Sequence, residues 1–196
     1  MTLGAGELHP IIVAAGVTGL LPQWARPGRR RVEHMERVAK LMDGWATELG
    51  LPERDRIRWR AAARLHDALK ESDPDELRSM IRSDWPDQLL HGPGCAHRLR
   101  EAGVRDEGVL RAITYHSVGH TDLERVGRFL YLADFLEPGR KRRRVRRERL
   151  RSRLPGESES VLREVAGLRI RRVVEAGLPV LTESVEFWNW LVRAEG

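Results

Sequence analysis

From Phe129 to Leu136 the chain reads Phe129-Leu130-Tyr131-Leu132-Ala133-Asp134-Phe135-Leu136, a run that is apolar on every side of a helix except for one carboxylate. A helix that is apolar all round must be surrounded by other elements. The segment therefore predicts a central helix, and Asp134 a charge held inside protein. An ionised carboxylate buried without a partner is costly enough that it either neutralises or finds a cation. That cation is an interior arginine or a metal ion. If it is a metal ion, removing it leaves Asp134 an unpaired charge, and asparagine in its place would not destabilise the metal-free protein.

The wrapping elements are legible from apolar spacing. Met35, Val38, Met42, Trp45 and Leu49 share one face of a helix predicted over 30–49, which Gly50 stops. A second helix is predicted over 53–70, with Ala61, Leu65 and Leu69 at helical spacing. Asp73-Pro74-Asp75-Glu76 has the features of a helix start, with proline at the first position and acids in the first turn. A short helix passes through Ala96 and Leu99 to about Gly103. Another covers 106–116, with Val109, Ile113 and His116 on one face, and Ser117-Val118-Gly119-His120 is a loop before the central helix over 122–136. No stretch sustains period-two alternation and no internal repeat is visible, so the expected fold is all-α.

At the amino terminus, Ile11 to Leu21 is apolar but too short to cross a bilayer. Glu7 lies just upstream and no positive cluster precedes it, which argues against a signal peptide. Residues 1–29 read as an extension packed on the core, with Trp24 behind a short helix, and 30–196 as the principal domain. A chain of 196 residues suits one domain with a sizeable core. The single cysteine, Cys95, excludes a disulfide framework and a thiolate zinc cluster and fits a reducing, cytoplasmic setting. The net charge of +6 is carried almost wholly by arginine and favours phosphate-bearing partners over cationic ones.

His34, His66, Asp67, His91 and His116 each fall at or near a hydrophobic helix face or helix end. Any one of them alone reads as a hydrogen-bonded core residue. Together with Asp134, and without cysteine, they favour a metal centre of nitrogen and oxygen ligands. His66 and Asp67 point roughly 100° apart on a helix. They can flank one ion, or the carboxylate can bridge two ions while the imidazole holds one.

The ordered strings His34-Met35-Glu36-Arg37-Val38, Leu65-His66-Asp67-Ala68-Leu69-Lys70, Leu89-Leu90-His91-Gly92-Pro93, Tyr115-His116-Ser117-Val118-Gly119 and Leu132-Ala133-Asp134-Phe135-Leu136-Glu137-Pro138-Gly139-Arg140 resemble the HD-domain phosphohydrolases. Within them the chain is most similar to the YqeK-type symmetrical diadenosine tetraphosphatases. The resemblance runs from about Arg30 to Val192, and it implies an HD-domain helical bundle over 30–196 with two divalent ions, iron or alternatively manganese. It implies that His34, His66, Asp67 and Asp134 hold one ion, and that Asp67, His91 and His116 hold the other. The reaction implied is hydrolysis of a dinucleoside tetraphosphate into two nucleoside diphosphates, with Asp67 and Lys70 catalytic. Lys70, Gly92, Ser117, His120 and Arg140 would meet the substrate. Ser117 stands where the family usually has threonine, and His120 near where it has a basic residue, often arginine.

Lys70, one turn past His66-Asp67, is expected at the mouth of the site on phosphate oxygens, and Arg140 as a bidentate clamp on a distal phosphate. The arginine run over 140–153 is a nucleic-acid or polyphosphate strip on one reading. No aromatic residue interleaves with it, so it reads first as a solvated helix face paired with the acidic segment that follows. Other nucleotides, such as deoxynucleotides or alarmones, are alternative substrates. A non-catalytic nucleotide- or RNA-binding domain is the alternative from another class, and a homodimer is compatible with the sequence.

Overall fold

The computed structural model describes residues 7–193, so the first six residues of the expected extension and the last three of the chain lie outside it. Among the described residues the chain forms ten α-helices and no strand. A four-residue helix α1 (Pro10–Val13) runs into a π-turn over Ala14–Thr18. The long helix α2 (Arg29–Glu48) buries Met35, Val38, Met42 and Trp45, the stripe its periodicity predicts. Gly50 then adopts a positive φ of 65°, and the chain reverses into α3 (Glu53–Leu65), which packs along α2.

Helix α4 (Pro74–Ile81) is capped by Asp73, whose side chain accepts from the Asp75 and Glu76 amides at 2.8 and 3.3 Å. Helices α5 (His91–Glu101) and α6 (Glu107–Tyr115) form an antiparallel pair, and α6 packs on α7 (Arg125–Leu136). Helix α7 has nine of its residues buried, Asp134 among them, which is the central helix the apolar run predicts. Helices α8 (Arg144–Arg151), α9 (Ser158–Glu175) and α10 (Thr182–Arg193) complete the bundle.

The core joins these helices through large side chains. Phe129 of α7 meets Trp59 of α3 and Trp45 of α2 with ring centroids 4.8 and 5.8 Å apart. Each such side chain contributes roughly 1.5–3 kcal/mol by burial. The apolar run at the amino terminus places Ile12 and Ala15 in this core. Arg60 and Arg64 of α3 donate to the Gly16 and Ala15 carbonyls at 2.7 and 2.8 Å, fastening that segment.

Two element boundaries differ from the periodicity. Helix α3 stops at Leu65 rather than running to Lys70; the Ala68 and Lys70 amides bond to the Leu65 and Asp67 carbonyls, so the chain tightens into consecutive turns. Helix α7 starts at Arg125 rather than at 122, because His120 accepts from the Asp122 amide in a local turn.

Candidate metal centre

Packing of the helices brings six side chains together at one site. His34 comes from the first half of α2, and His66 and Asp67 from the turn that ends α3. His91 is the first residue of α5, His116 caps the carboxyl end of α6, and Asp134 lies in the last turn of α7. All six are buried.

Asp67 lies between the histidines. Its Oδ1 is 3.1 Å from His91 Nε2 and 3.6 Å from His116 Nε2, while Oδ2 is 3.6 Å from both His34 Nε2 and His66 Nε2. Asp134 Oδ1 is 3.2 Å from His34 Nε2. Ligand-capable atoms of His34, His66 and Asp134 fall within 4.8 Å of one another, and so do those of His66, Asp67 and His116.

The surroundings orient the rings. His66 and His116 direct Nδ1 at the Ala63 and Ile113 carbonyls, each at 2.7 Å, which assigns the proton to Nδ1 and turns the Nε2 lone pair inward. His34 Nδ1 faces Glu137 Oε1 at 3.3 Å, and Glu137 is itself held by Arg37 at 2.6 Å and the Gly139 amide at 2.7 Å. His34 Nε2 and His66 Nε2 are buried without a hydrogen-bond partner. Two orphaned imidazole nitrogens beside two carboxylates are the donor set a divalent ion takes, and the residues fit such an ion.

Protonation follows from burial and neighbours. Burial pushes His66 down to about 3 and His91 to about 4, so both are neutral near pH 7, the form that ligates a metal. Burial would lower His34 too, but Asp134 and Glu137 outweigh it and raise this ring. For Asp67, burial is outweighed by His66, His116 and His91, which hold the carboxyl well below its usual range. Burial would also raise Glu137, yet its hydrogen bonds with His34 and Arg37 bring it down to about 2.

Arginines complete the charge balance. Arg31 Nη1 donates to Asp67 Oδ2 at 2.5 Å. Arg140 Nη2 donates to Asp134 Oδ1 and its Nε to the Asp134 carbonyl at 2.8 Å. Arg169 of α9 donates to Asp134 Oδ2 and the Tyr131 carbonyl, each at 3.0 Å, and to the Ser117 carbonyl at 3.3 Å. Asp134 therefore has arginine partners as well as a place in the donor cluster. Arg31, Arg169 and Glu137 carry no signal in single-sequence spacing, because each reaches the site only through packing.

A cleft of about 840 Å³ opens above this site. Seven cationic side chains line it (Arg31, Lys70, Arg78, Arg140, Arg147, Arg169 and Arg172) against four acids (Asp67, Asp84, Asp87 and Asp134), so its field is positive. Trp85, Leu89, Phe135, Val173 and Leu178 give it an apolar wall. Glu183 of α10 fixes the Trp85 indole N–H at 3.1 Å. Lys70 lies on the wall, with Nζ donating to the Gln88 carbonyl at 2.7 Å and lying 3.3 Å from His91 Nδ1.

Of the residues expected to meet substrate, Lys70, Ser117 and Arg140 line the cleft. Gly92 and His120 do not. Gly92 is a packing residue: a Cβ there would meet the Ile113 and Thr114 carbonyls at 2.8 Å, so α5 approaches α6 only without one. The His120 ring stacks on Tyr115, centroids 4.3 Å apart. The neighbouring Gly119, at a φ of 82°, lets Phe187 come so close that any Cβ would collide with its ring.

The bundle carries an imidazole–carboxylate cluster, and the HD domain model matches residues 31–139. The chain belongs to the HD-domain family. It is 26% identical over 170 residues to the symmetrical bis(5'-nucleosyl)-tetraphosphatase of Staphylococcus aureus, covering 82% of each chain. It is 38% identical over 88 residues to the symmetrical bis(5'-nucleosyl)-tetraphosphatase of Halalkalibacterium halodurans, a match over 40% of this chain and about half (47%) of that protein. A crystal structure of a predicted HD superfamily hydrolase involved in NAD metabolism, from Clostridium acetobutylicum, shares the fold. Its TM-score is 0.76 at 22% identity, over 85% of this chain and 91% of that one. Among the described residues no helix is long and apolar enough to cross a membrane.

Proposed function

We propose that this protein is a metal-dependent phosphohydrolase that splits a dinucleoside tetraphosphate, diadenosine tetraphosphate in the first instance, symmetrically into two nucleoside diphosphates. The observation that carries the reading is the buried cluster of four histidines and two aspartates on the floor of a cleft with an excess of cationic side chains. His34, His66, Asp67 and Asp134 would hold one divalent ion, and Asp67, His91 and His116 a second, with iron the first choice and manganese the alternative for these donors. Such ions supply water activation near neutral pH and neutralise charge at the reacting phosphate.

The chain's own residues do the rest. Asp67 orients the imidazoles and stays ionised, well below the usual carboxylate range. Lys70 and Arg140 offer charged donors to phosphate oxygens from the cleft wall, a charge-assisted contact that is stronger than a neutral one. The Trp85 ring on the cleft wall suits a nucleobase. The S. aureus and H. halodurans relatives, named for this reaction, support the substrate class.

The test is product analysis. Full-length protein loaded anaerobically with iron or manganese is incubated with dinucleoside tri-, tetra- and pentaphosphates, deoxynucleotides and guanosine alarmones. The expected result is ADP as the sole product from diadenosine tetraphosphate. AMP with ATP as products, or turnover confined to mononucleotides, would sink the reading.

A further inference from the structure

Adjoining the cleft is a second opening of about 530 Å³, lined by Arg30, Arg37, Lys141 and Arg142 together with Glu71 and with His34 and Glu137 of the site. Four residues line both openings: Arg31, Arg140, Arg147 and Arg172. These four form a ridge between the two lobes, with the histidine–aspartate cluster at its foot. Asp67 and Asp134 face one lobe and His34 the other.

Two ridge residues are already paired. Arg31 holds Asp67, and Arg140 holds Asp134. Arg147 and Arg172 have no carboxylate partner among the described residues. Arg172 is exposed on α9. Arg147 is 8% exposed, the only buried residue between Lys141 and Arg149. Its guanidinium carbon lies 4.4 Å from the Phe135 ring centroid, its Nη1 makes one long bond of 3.4 Å to the Arg142 carbonyl, and its Nε has no partner. A buried guanidinium with no counter-charge is costly unless an anion meets it. Burial, with Arg140 and Arg169 nearby, pulls it down to about 10, which still leaves it charged near neutral pH.

We propose that Arg147 and Arg172, on the ridge beside the metal centre, form a second phosphate-binding site that takes the half of the substrate lying beyond the scissile bond. The inference rests on the phosphohydrolase reading only for the name of the substrate; the anion site stands on the ridge itself. The second lobe has cationic side chains in excess over Glu71 and Glu137 and no Phe, Trp or Tyr, so it receives phosphate and ribose and leaves the second base unread. The base that is read sits in the Trp85 lobe.

The test is calorimetric titration of the full chain with inorganic pyrophosphate, as purified and again after removal of metal with a chelator. Binding should survive metal removal. Arg147→Met, which keeps length and contact with Phe135, should weaken it about tenfold, the loss expected for a charge-assisted bond to phosphate. Arg172→Met should weaken it by a smaller factor. With a dinucleoside tetraphosphate, Arg147→Met should raise KM about tenfold and change kcat little. Replacing the second nucleobase should leave KM unchanged.

Pyrophosphate binding that vanishes with the metal overturns the proposal. So does unchanged affinity in an Arg147→Met protein with a lowered melting temperature, which would make Arg147 a structural residue. If Arg147→Met fails to fold, Arg172→Met decides, because its side chain is exposed, and unchanged affinity there is equally fatal. Absence of turnover on every dinucleoside polyphosphate, with pyrophosphate titration as expected, would remove the substrate assignment and keep the anion site.

Discussion

Replacing Asp134 by asparagine tests which cation the central helix was built around. From sequence alone the metal-free variant is expected to be at least as stable as wild type, because an isolated buried charge is removed. The structure reverses that sign. Without metal, Asp134 is still bound by Arg140 and Arg169, so asparagine leaves two guanidiniums short of a counter-charge. Breaking a buried pair by removing one partner costs roughly 3–5 kcal/mol.

Two features reduce this. The Arg140 side chain is 35% exposed and recovers hydration, and the asparagine carbonyl still accepts one hydrogen bond. We therefore expect the metal-free variant to lose about 2–3 kcal/mol, a fall of about 4–12 °C in Tm for a chain of this size. The loss depends on pH. Burial would raise the Asp134 carboxyl, but Arg140, His34 and Arg169 outweigh it and hold it well below its ordinary value of 3.8. Its stabilisation is thus complete above 3.8 and is lost as pH falls from there toward the depressed value. Thermal melts of chelated wild type and variant at pH 7 and at decreasing pH measure the gap. Equal melting temperatures at pH 7 would refute the arginine pairing. A variant that binds metal and hydrolyses nucleotide as wild type does would refute Asp134 as a ligand.

Lys70→Ala should retain the metal and raise KM for nucleotide about tenfold, since it removes one charge-assisted contact; elemental analysis alongside kinetics checks both halves. Glu137→Gln should weaken metal binding about 10- to 100-fold by loosening the His34 ring, read by competition with a chromogenic chelator. Gly92→Ala should cost about 1–3 kcal/mol through overpacking, read by urea denaturation, because the added methyl meets the Ile113 and Thr114 carbonyls. A Gly92→Ala protein of wild-type stability with raised KM would instead return Gly92 to the substrate site.

The sequence by itself determined the helical class and the metal-ligand candidates, because both are local signals. Apolar stripes at helical spacing need no partner to be read, and histidines and aspartates at the ends of such stripes are conspicuous wherever the helices go. The Asp134 run predicted its own burial, since eight successive residues leave a single polar group for a helix to expose. Tertiary structure alone decided the charge environment. Arg31, Arg140 and Arg169 meet the two aspartates from α2, from the loop after α7 and from α9, and a guanidinium's reach is set by packing. The arginine run shows the same division. By composition its members are equivalent, and most are solvated or paired with acids, as Arg153 is with Glu157 and Glu164. Only Arg147 is turned inward between 141 and 149, because the face of α8 that carries it and Leu150 packs on the bundle, while the remaining cations of that stretch keep their hydration outside.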